Sequence, residues 1–330
     1  MFSSKMPKLN GICDKSFILQ IALIIPFVLI CLPSSISRRS DFGDNVPSIV
    51  DLIPSIGFLI VISFLREVLA CNVFIKLGDK YIPRKPEWTD EFRKFRVERF
   101  GLTLFKTMYY FIITPLGIYL FRHEDWMPSA LFGVGKSDLN ALWEDFPISQ
   151  PVKYMALYYC FELGYHLHSL MFHLYLPARN DFYETLLHHL VTVFLVVLSY
   201  INNCARIGVL VMVLHDIVDA IMYTAKSLND ISNDYVVIPA FSMLVIAYAR
   251  FRLWVFPRYV ISAAYNAKNF IPETATCGYL VWCMFLVLLV SLYGLHIYWF
   301  ALIIDMIKKL VTNQGIVDPH ATKKAVGQEN

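Results

Sequence analysis

Residues 184–200 read ETLLHHLVTVFLVVLSY. His188 and His189 stand side by side at the head of a run that is otherwise oily. With its flanks the run is long enough for a helix across a bilayer core of about 30 Å. Imidazoles are costly to bury in lipid without partners, and intramembrane ionisable groups usually face a bundle interior or a wet cavity. This stretch therefore predicts an all-α, polytopic membrane bundle whose interior offers polar groups to the two histidines.

The rest of the chain agrees. The 330 residues are 57% hydrophobic, above the 45–50% apolar content of ordinary soluble domains. The formal net charge is only +3, and no Arg/Lys stripe for nucleic acid appears. The seven cysteines are scattered without a CxxC pair, which speaks against a zinc ribbon or a disulfide framework. Seven apolar runs are expected to span, at roughly 52–75, 101–121, 152–175, 185–201, 207–225, 237–256 and 279–306. A shorter segment, 17–33, contains Pro26, follows Lys5, Lys8 and Lys15, and ends in PSSIS; it reads equally as a signal peptide or signal anchor and as an extra span. The domain reading is an N-terminal segment 1–50, a first helix and basic loop 51–100, a catalytic bundle 101–310 and a disordered tail 311–330.

Loop charge orients the spans. Loop 76–100 carries Lys76, Lys80, Arg84, Lys85, Arg93, Lys94, Arg96 and Arg99, so it is expected in the cytosol. Loop 122–150 holds Arg122 and Lys136 beside Glu124, Asp125, Asp138, Glu144 and Asp145, so it belongs on the far side. Alternation returns the tail, with Lys308, Lys309, Lys323 and Lys324, to the cytosol.

Partners for the histidines are sought on the next span, in LHDIVDAIMYTAK, where Asp216 and Asp219 are three residues apart and share one face. Counted from the middle of the hairpin turn, between Asn203 and Cys204, His188 and Asp219 are equidistant, so antiparallel helices would bring the His pair and the Asp pair to one depth, roughly 23 Å from the turn. Any one of these residues reads equally as interhelical glue, where hydrogen bonds average only about 0.6 kcal/mol; two His and two Asp at a shared depth weigh toward function. His215 points about 100° away from Asp216 and is ranked lower. Glu162, His166, His168 and His173 read as cavity-lining or merely satisfied interior groups. A metal role is not expected, because the HxxxH and HxxHH spacings of membrane di-iron sites are missing.

RNDFYETLLHHLVTVFLVVLSYINNCARIGVLVMVLHDIVDAIMYTAK (179–226) resembles the signature of ceramide synthases, the longevity-assurance branch of TLC-domain proteins, through DF, HHxxT, SYxxNxxRxGxL, HDxxD and Lys226. DLIPSIGFLIVISFLREVLACNVFIKLG (51–78), RFRLWVFPRYV (250–260) and LHIYWFALII (295–304) resemble the flanking helices. The resemblance implies a six-helix TLC bundle plus one preceding helix, an endoplasmic reticulum membrane location, and N-acylation of a sphingoid base by fatty acyl-CoA to (dihydro)ceramide. Acyl-CoA would be a co-substrate, with no cofactor and no metal. Catalytic roles carry over to His188, His189, Asp216 and Asp219: one histidine as nucleophile or base, the other as second base or oxyanion partner, Asp219 as orienter, and Asp216 as amine ligand or support for Asp219. The sequence does not say which histidine plays which part. Two departures stand out: Tyr223 replaces a usual Glu, and loop 76–100 is too short for the homeobox-like insert of many animal relatives. Acyl length, implied to depend on loop 257–278, and homo- or hetero-oligomeric state are not legible. The rival readings are a non-catalytic TLC-domain lipid-binding or translocon-associated protein, which the four site residues disfavour, and a proton-relay transporter, which lacks the expected repeat halves.

Overall fold

Helix starts fall where the sequence supplies caps. Ser48 accepts the Val50 N–H at 3.3 Å while Asp51 accepts the Ser48 N–H at 2.8 Å, a reciprocal capping box, and Pro54 follows in a first turn that needs no N–H from it. Thr89 likewise accepts the Phe92 N–H at 3.1 Å. The computed structural model describes residues 47–86, 88–146, 152–175, 181–231, 234–271 and 278–311. Segment 17–33, the tail beyond 311 and most of loop 271–277 lie outside the described residues.

Each of the seven expected spans falls on one long helix: α1 Ile49–Tyr81, α2 Asp90–Phe121, α3 Met155–Tyr175, α4 Phe182–Ile201, α5 Ala205–Ile231, α6 Tyr235–Phe270 and α7 Gly278–Val311. All but α3 are long and apolar enough to cross a membrane. The 21-residue α3 has the length, but Glu162, His166, His168 and His173 lower its hydropathy. The chain is thus an all-helical, multi-pass membrane protein. Helix α5 is its axis: 67% of its apolar window is buried, against 22% for α1 and α7.

Contacts set the directions. Along α1 and α3, Phe58 meets Phe161 at 5.1 Å and Ser63 meets His168 at 2.9 Å, so these two run parallel. Their close approach needs Gly164, where a Cβ would lie 2.6 Å from the Phe58 side chain and 3.0 Å from the Leu59 nitrogen; small residues at helix contacts serve this purpose in membranes. At one end of the bundle, Arg96 and Arg99 of α2 both pair with the buried Asp230 of α5. At the other end, Arg206 donates to the Ala141 carbonyl at 2.6 Å and Trp143 stacks near Phe270. Loop 122–146 therefore caps the same end as the α4–α5 turn and the end of α6. It is held by an Asp125–Lys136 ion pair at 2.8 Å, and that carboxylate raises the Lys136 pKa.

The basic loop is shorter than expected. Helix continues to Tyr81 and resumes at Asp90, so most residues of 76–100 are helical. Hydropathy marks only the lipid-facing core of a helix, and both helices run on past it as basic turns. Arg93 ties them together, pairing with the Asp79 carboxylate and donating to the carbonyls of Asp79 and Ile82 at the end of α1.

Candidate functional site

Five helices converge at the polar interior: α3 with Glu162 and His166, α4 with His188 and His189, α5 with His215, Asp216 and Asp219, α6 with Tyr248 and Arg252, and α7 with His296 and Trp299. The two histidines of α4 are half-buried with rings 5.6 Å apart. Nδ1 of each is buried without a hydrogen-bond partner among the described residues. Thr192 shares the face of His188 and returns its hydroxyl to the His188 carbonyl at 2.8 Å. His189 lies 5.5 Å from His173, whose Nε2 meets the Phe182 carbonyl at 2.9 Å.

The expected contact between the His pair and the Asp pair does not form: among the described residues no hydrogen bond or ion pair joins His188 or His189 to Asp216 or Asp219. His188 instead lies 6.4 Å from the ring of His215 and 5.2 Å from that of Trp299. Equal counting from the turn is thus off by about one helical turn. Neighbouring helices supply the partners instead: His296 of α7 bonds His215 on α5, Trp299 of α7 meets His188 on α4, and Arg252 of α6 takes Asp219.

Each aspartate has found other company. Asp219 receives a hydrogen bond from Arg252 at 2.6 Å. Arg252 is 4% exposed, donates also to the His215 carbonyl at 3.3 Å, and lies 5.2 Å from the Tyr248 ring. The backbone that presents it is wound as a π-helix over Ala249–Ile261 and includes Pro257. Pro257 contributes no N–H to the ladder of this segment, and the nearby Leu253 carbonyl accepts from the Tyr293 hydroxyl at 3.4 Å. Asp216, 1% exposed, accepts from the Tyr158 hydroxyl at 3.5 Å and faces the carboxyl of Glu162.

His215, ranked low from sequence, is central. Its Nδ1 lies 2.7 Å from the Val211 carbonyl, so that nitrogen carries the proton, and its Nε2 meets His296 Nε2 at 2.9 Å. A neutral His215 then accepts from His296 Nε2–H, which leaves His296 Nδ1 a bare acceptor, buried and unpartnered. Arg252 and His296 escaped the sequence reading as site residues. The signal for Arg252 was present, a charge inside the apolar run 237–256 that it shares with Arg250, whereas His296 declared nothing until α7 was packed. Tyr223 stacks on Tyr110 at 5.5 Å, and its hydroxyl accepts from Lys106 at 3.3 Å, so no carboxylate stands there. Among the described residues no group of three or more His, Cys, Asp or Glu side chains is arranged to hold a metal ion.

The description TLC domain belongs to the family model that matches residues 99–305. Alternaria stem canker resistance protein 1 of Solanum lycopersicum is 29% identical over 281 residues, spanning 82% of this chain and 89% of that protein. Ceramide synthase LOH2 of Arabidopsis thaliana is 27% identical over 217 residues, 65% of this chain and 70% of the relative. Ceramide synthase 4 of Mus musculus reaches 33% identity over 193 residues, 58% of this chain and 45% of the mouse protein.

Proposed function

This chain belongs to the TLC-domain family, and from that premise we propose that it is a ceramide synthase, which transfers a fatty acyl group from coenzyme A to the amine of a sphingoid base. The observation that carries the reading is the His188–His189 pair, half-buried beside a polar interior with both Nδ1 atoms free of hydrogen-bond partners among the described residues. Relatives named ceramide synthases support the reaction class.

A thioester is already activated; what the reaction lacks is a neutral nucleophile, since an alkyl amine is largely protonated near neutral pH. Histidine supplies one in two ways. As a base, it takes a proton from the amine nitrogen, whose lone pair attacks the thioester carbon; the C–S bond breaks, and CoA leaves as the thiolate and takes up a proton. As a nucleophile, it first takes the acyl group from sulfur, and the amine then displaces imidazole, giving its proton to the second histidine. His188 and His189 carry these steps in either order of roles. Asp216 receives the amine. Asp219 acts through Arg252, whose other bond holds the His215 carbonyl, so it is a positioning residue rather than the direct orienter of an imidazole. Acyl-CoA is a co-substrate, and neither a metal nor a cofactor enters any step.

The proposed setting is the endoplasmic reticulum membrane, with the basic end of the bundle in the cytosol by the positive-inside rule. A membrane-impermeant maleimide applied to sealed microsomes should label Lys94→Cys and spare Lys136→Cys; both lysines have exposed side chains. Labelling in the reverse order would invert the topology. The reaction is tested by incubating purified protein with sphinganine and a ladder of acyl-CoA lengths and measuring amide product by mass spectrometry. Folded protein that forms no amide with any length would overturn the function, and the length profile supplies what the sequence does not.

A further inference from the structure

We propose that Glu162 of α3 joins Asp216 to form the seat of the substrate's ammonium group. The inference rests on the amine-acylation reading and adds to it a residue, a charge requirement and a location.

Glu162 is fully buried in the protein, at 0% exposure. Its Oε2 accepts from the Tyr109 hydroxyl at 3.2 Å and stands 3.7 Å from His166 Nε2. Its Oε1 is buried and receives no hydrogen bond from any donor among the described residues. The Asp216 carboxyl accepts a long bond from the hydroxyl of Tyr158, which stands one helical turn from Glu162 on α3, and this places the two carboxyls side by side. Two carboxyls thus meet in the buried interior with tyrosine hydroxyls as donors and, among the described residues, no Lys or Arg bonded to either. The nearby cation, Arg252, is bonded to Asp219 instead.

Two facing carboxylates at low dielectric cannot both stay charged unless a cation joins them. An alkylammonium suits that demand: it carries one positive charge and three N–H donors, enough for Glu162 Oε1 and an oxygen of Asp216 with one to spare. The tyrosine hydroxyls of Tyr109 and Tyr158 offer further polar contacts for hydroxyls next to the amine. Position agrees as well. His166, one turn along α3 from Glu162, acts electrostatically on both His188 and His189. Its imidazole stands 3.7 Å from the Glu162 carboxylate, so the carboxyl pair and the histidine pair belong to one polar interior.

The test compares two inhibitors of equal chain length, a sphingoid-like N,N-dimethylamine, which is protonated near neutral pH, keeps one N–H donor and cannot be acylated to an amide, and its uncharged deamino diol, in competition with sphinganine. Wild-type protein should bind the cation at least about tenfold more tightly than the diol, as expected of a charge-assisted contact. Glu162→Gln should erase that preference and raise the KM for sphinganine by about the same factor, with a smaller change in kcat. Glu162→Asp should recover part of it. Equal binding of cation and diol by the wild type would overturn the proposal without any variant, and would mean that the two carboxyls merely share a proton. An unchanged cation preference in a folded Glu162→Gln protein would overturn it too. Absence of amide product from the wild type is a separate result: it removes the acyltransferase reading and leaves the charge preference of the site as the measured quantity.

Discussion

Asp216 and Asp219 are one turn apart on α5, yet one faces another carboxyl and the other faces an arginine. Asp219 is closed: Arg252 neutralises it at 2.6 Å, and the same guanidinium reaches the His215 carbonyl. Asp216 is open: its neighbour Glu162 carries the same charge sign, and its protein donor is a tyrosine at 3.5 Å. A closed pair costs desolvation that its own attraction offsets, and it holds geometry. An open pair is costly until something cationic arrives. The contrast sets a structural role for Asp219 beside the ligand-binding role proposed for Asp216, although both belong to one short motif.

The largest expected effects fall on the histidines that neither aspartate touches. His188→Ala should lower N-acylation by about a hundredfold or more, and His188→Ala with His189→Ala should be hardly worse than the worse single variant if the two act as a unit. Full turnover per folded molecule in either single variant would remove the catalytic assignment. Incubation with acyl-CoA alone followed by rapid quench separates the two routes. One acyl mass on the peptide bearing His188 and His189 marks covalent transfer, and its absence leaves histidine as base.

The next effect breaks the closed pair. Asp219→Asn strands the buried Arg252 and should cost about 3–5 kcal/mol of stability, read as a lowered unfolding temperature in detergent. Asp219→Leu with Arg252→Met should recover most of that stability while activity stays low, because the apolar pair needs no mutual charge but no longer holds His215. If the double variant were as unstable as the single one, the pair would be more than mutual neutralisation.

The same substitution one turn away should behave differently. Asp216→Asn removes a like-charge neighbour from Glu162, so its stability cost should stay within about 1 kcal/mol or reverse sign, while sphinganine binding weakens. Equal destabilisation by Asp216→Asn and Asp219→Asn would erase the distinction between open and closed. The smallest effect concerns the scaffold of Arg252. Tyr293→Phe withdraws the donor to the Leu253 carbonyl and should cost about 1 kcal/mol, with a modest loss of activity if the π-wound turn that carries Arg252 relaxes.

Much of this architecture is legible in the amino-acid order alone. A bilayer leaves the backbone no option but helix, so long apolar runs translate directly into spans, and all seven runs became helices. The 155–175 helix was legible despite its polar residues because its length and flanks match a span. Helix ends were less so, since hydropathy stops at the lipid boundary and the basic turns before Tyr81 and after Asp90 continue beyond it. The motif residues His188, His189, Asp216 and Asp219 were likewise visible as costly groups in oily surroundings, but their pairing was not. Which side chain meets which depends on what α7 brings to α4 and α5 and on how the π-wound α6 places Arg252 against Asp219. Both are consequences of packing among helices distant in sequence. Periodicity reports the face of a helix; it carries no information on what another helix, eighty residues away, brings to that face. Ionisable groups in a membrane interior are therefore announced by the sequence, and their partners are chosen by the tertiary structure.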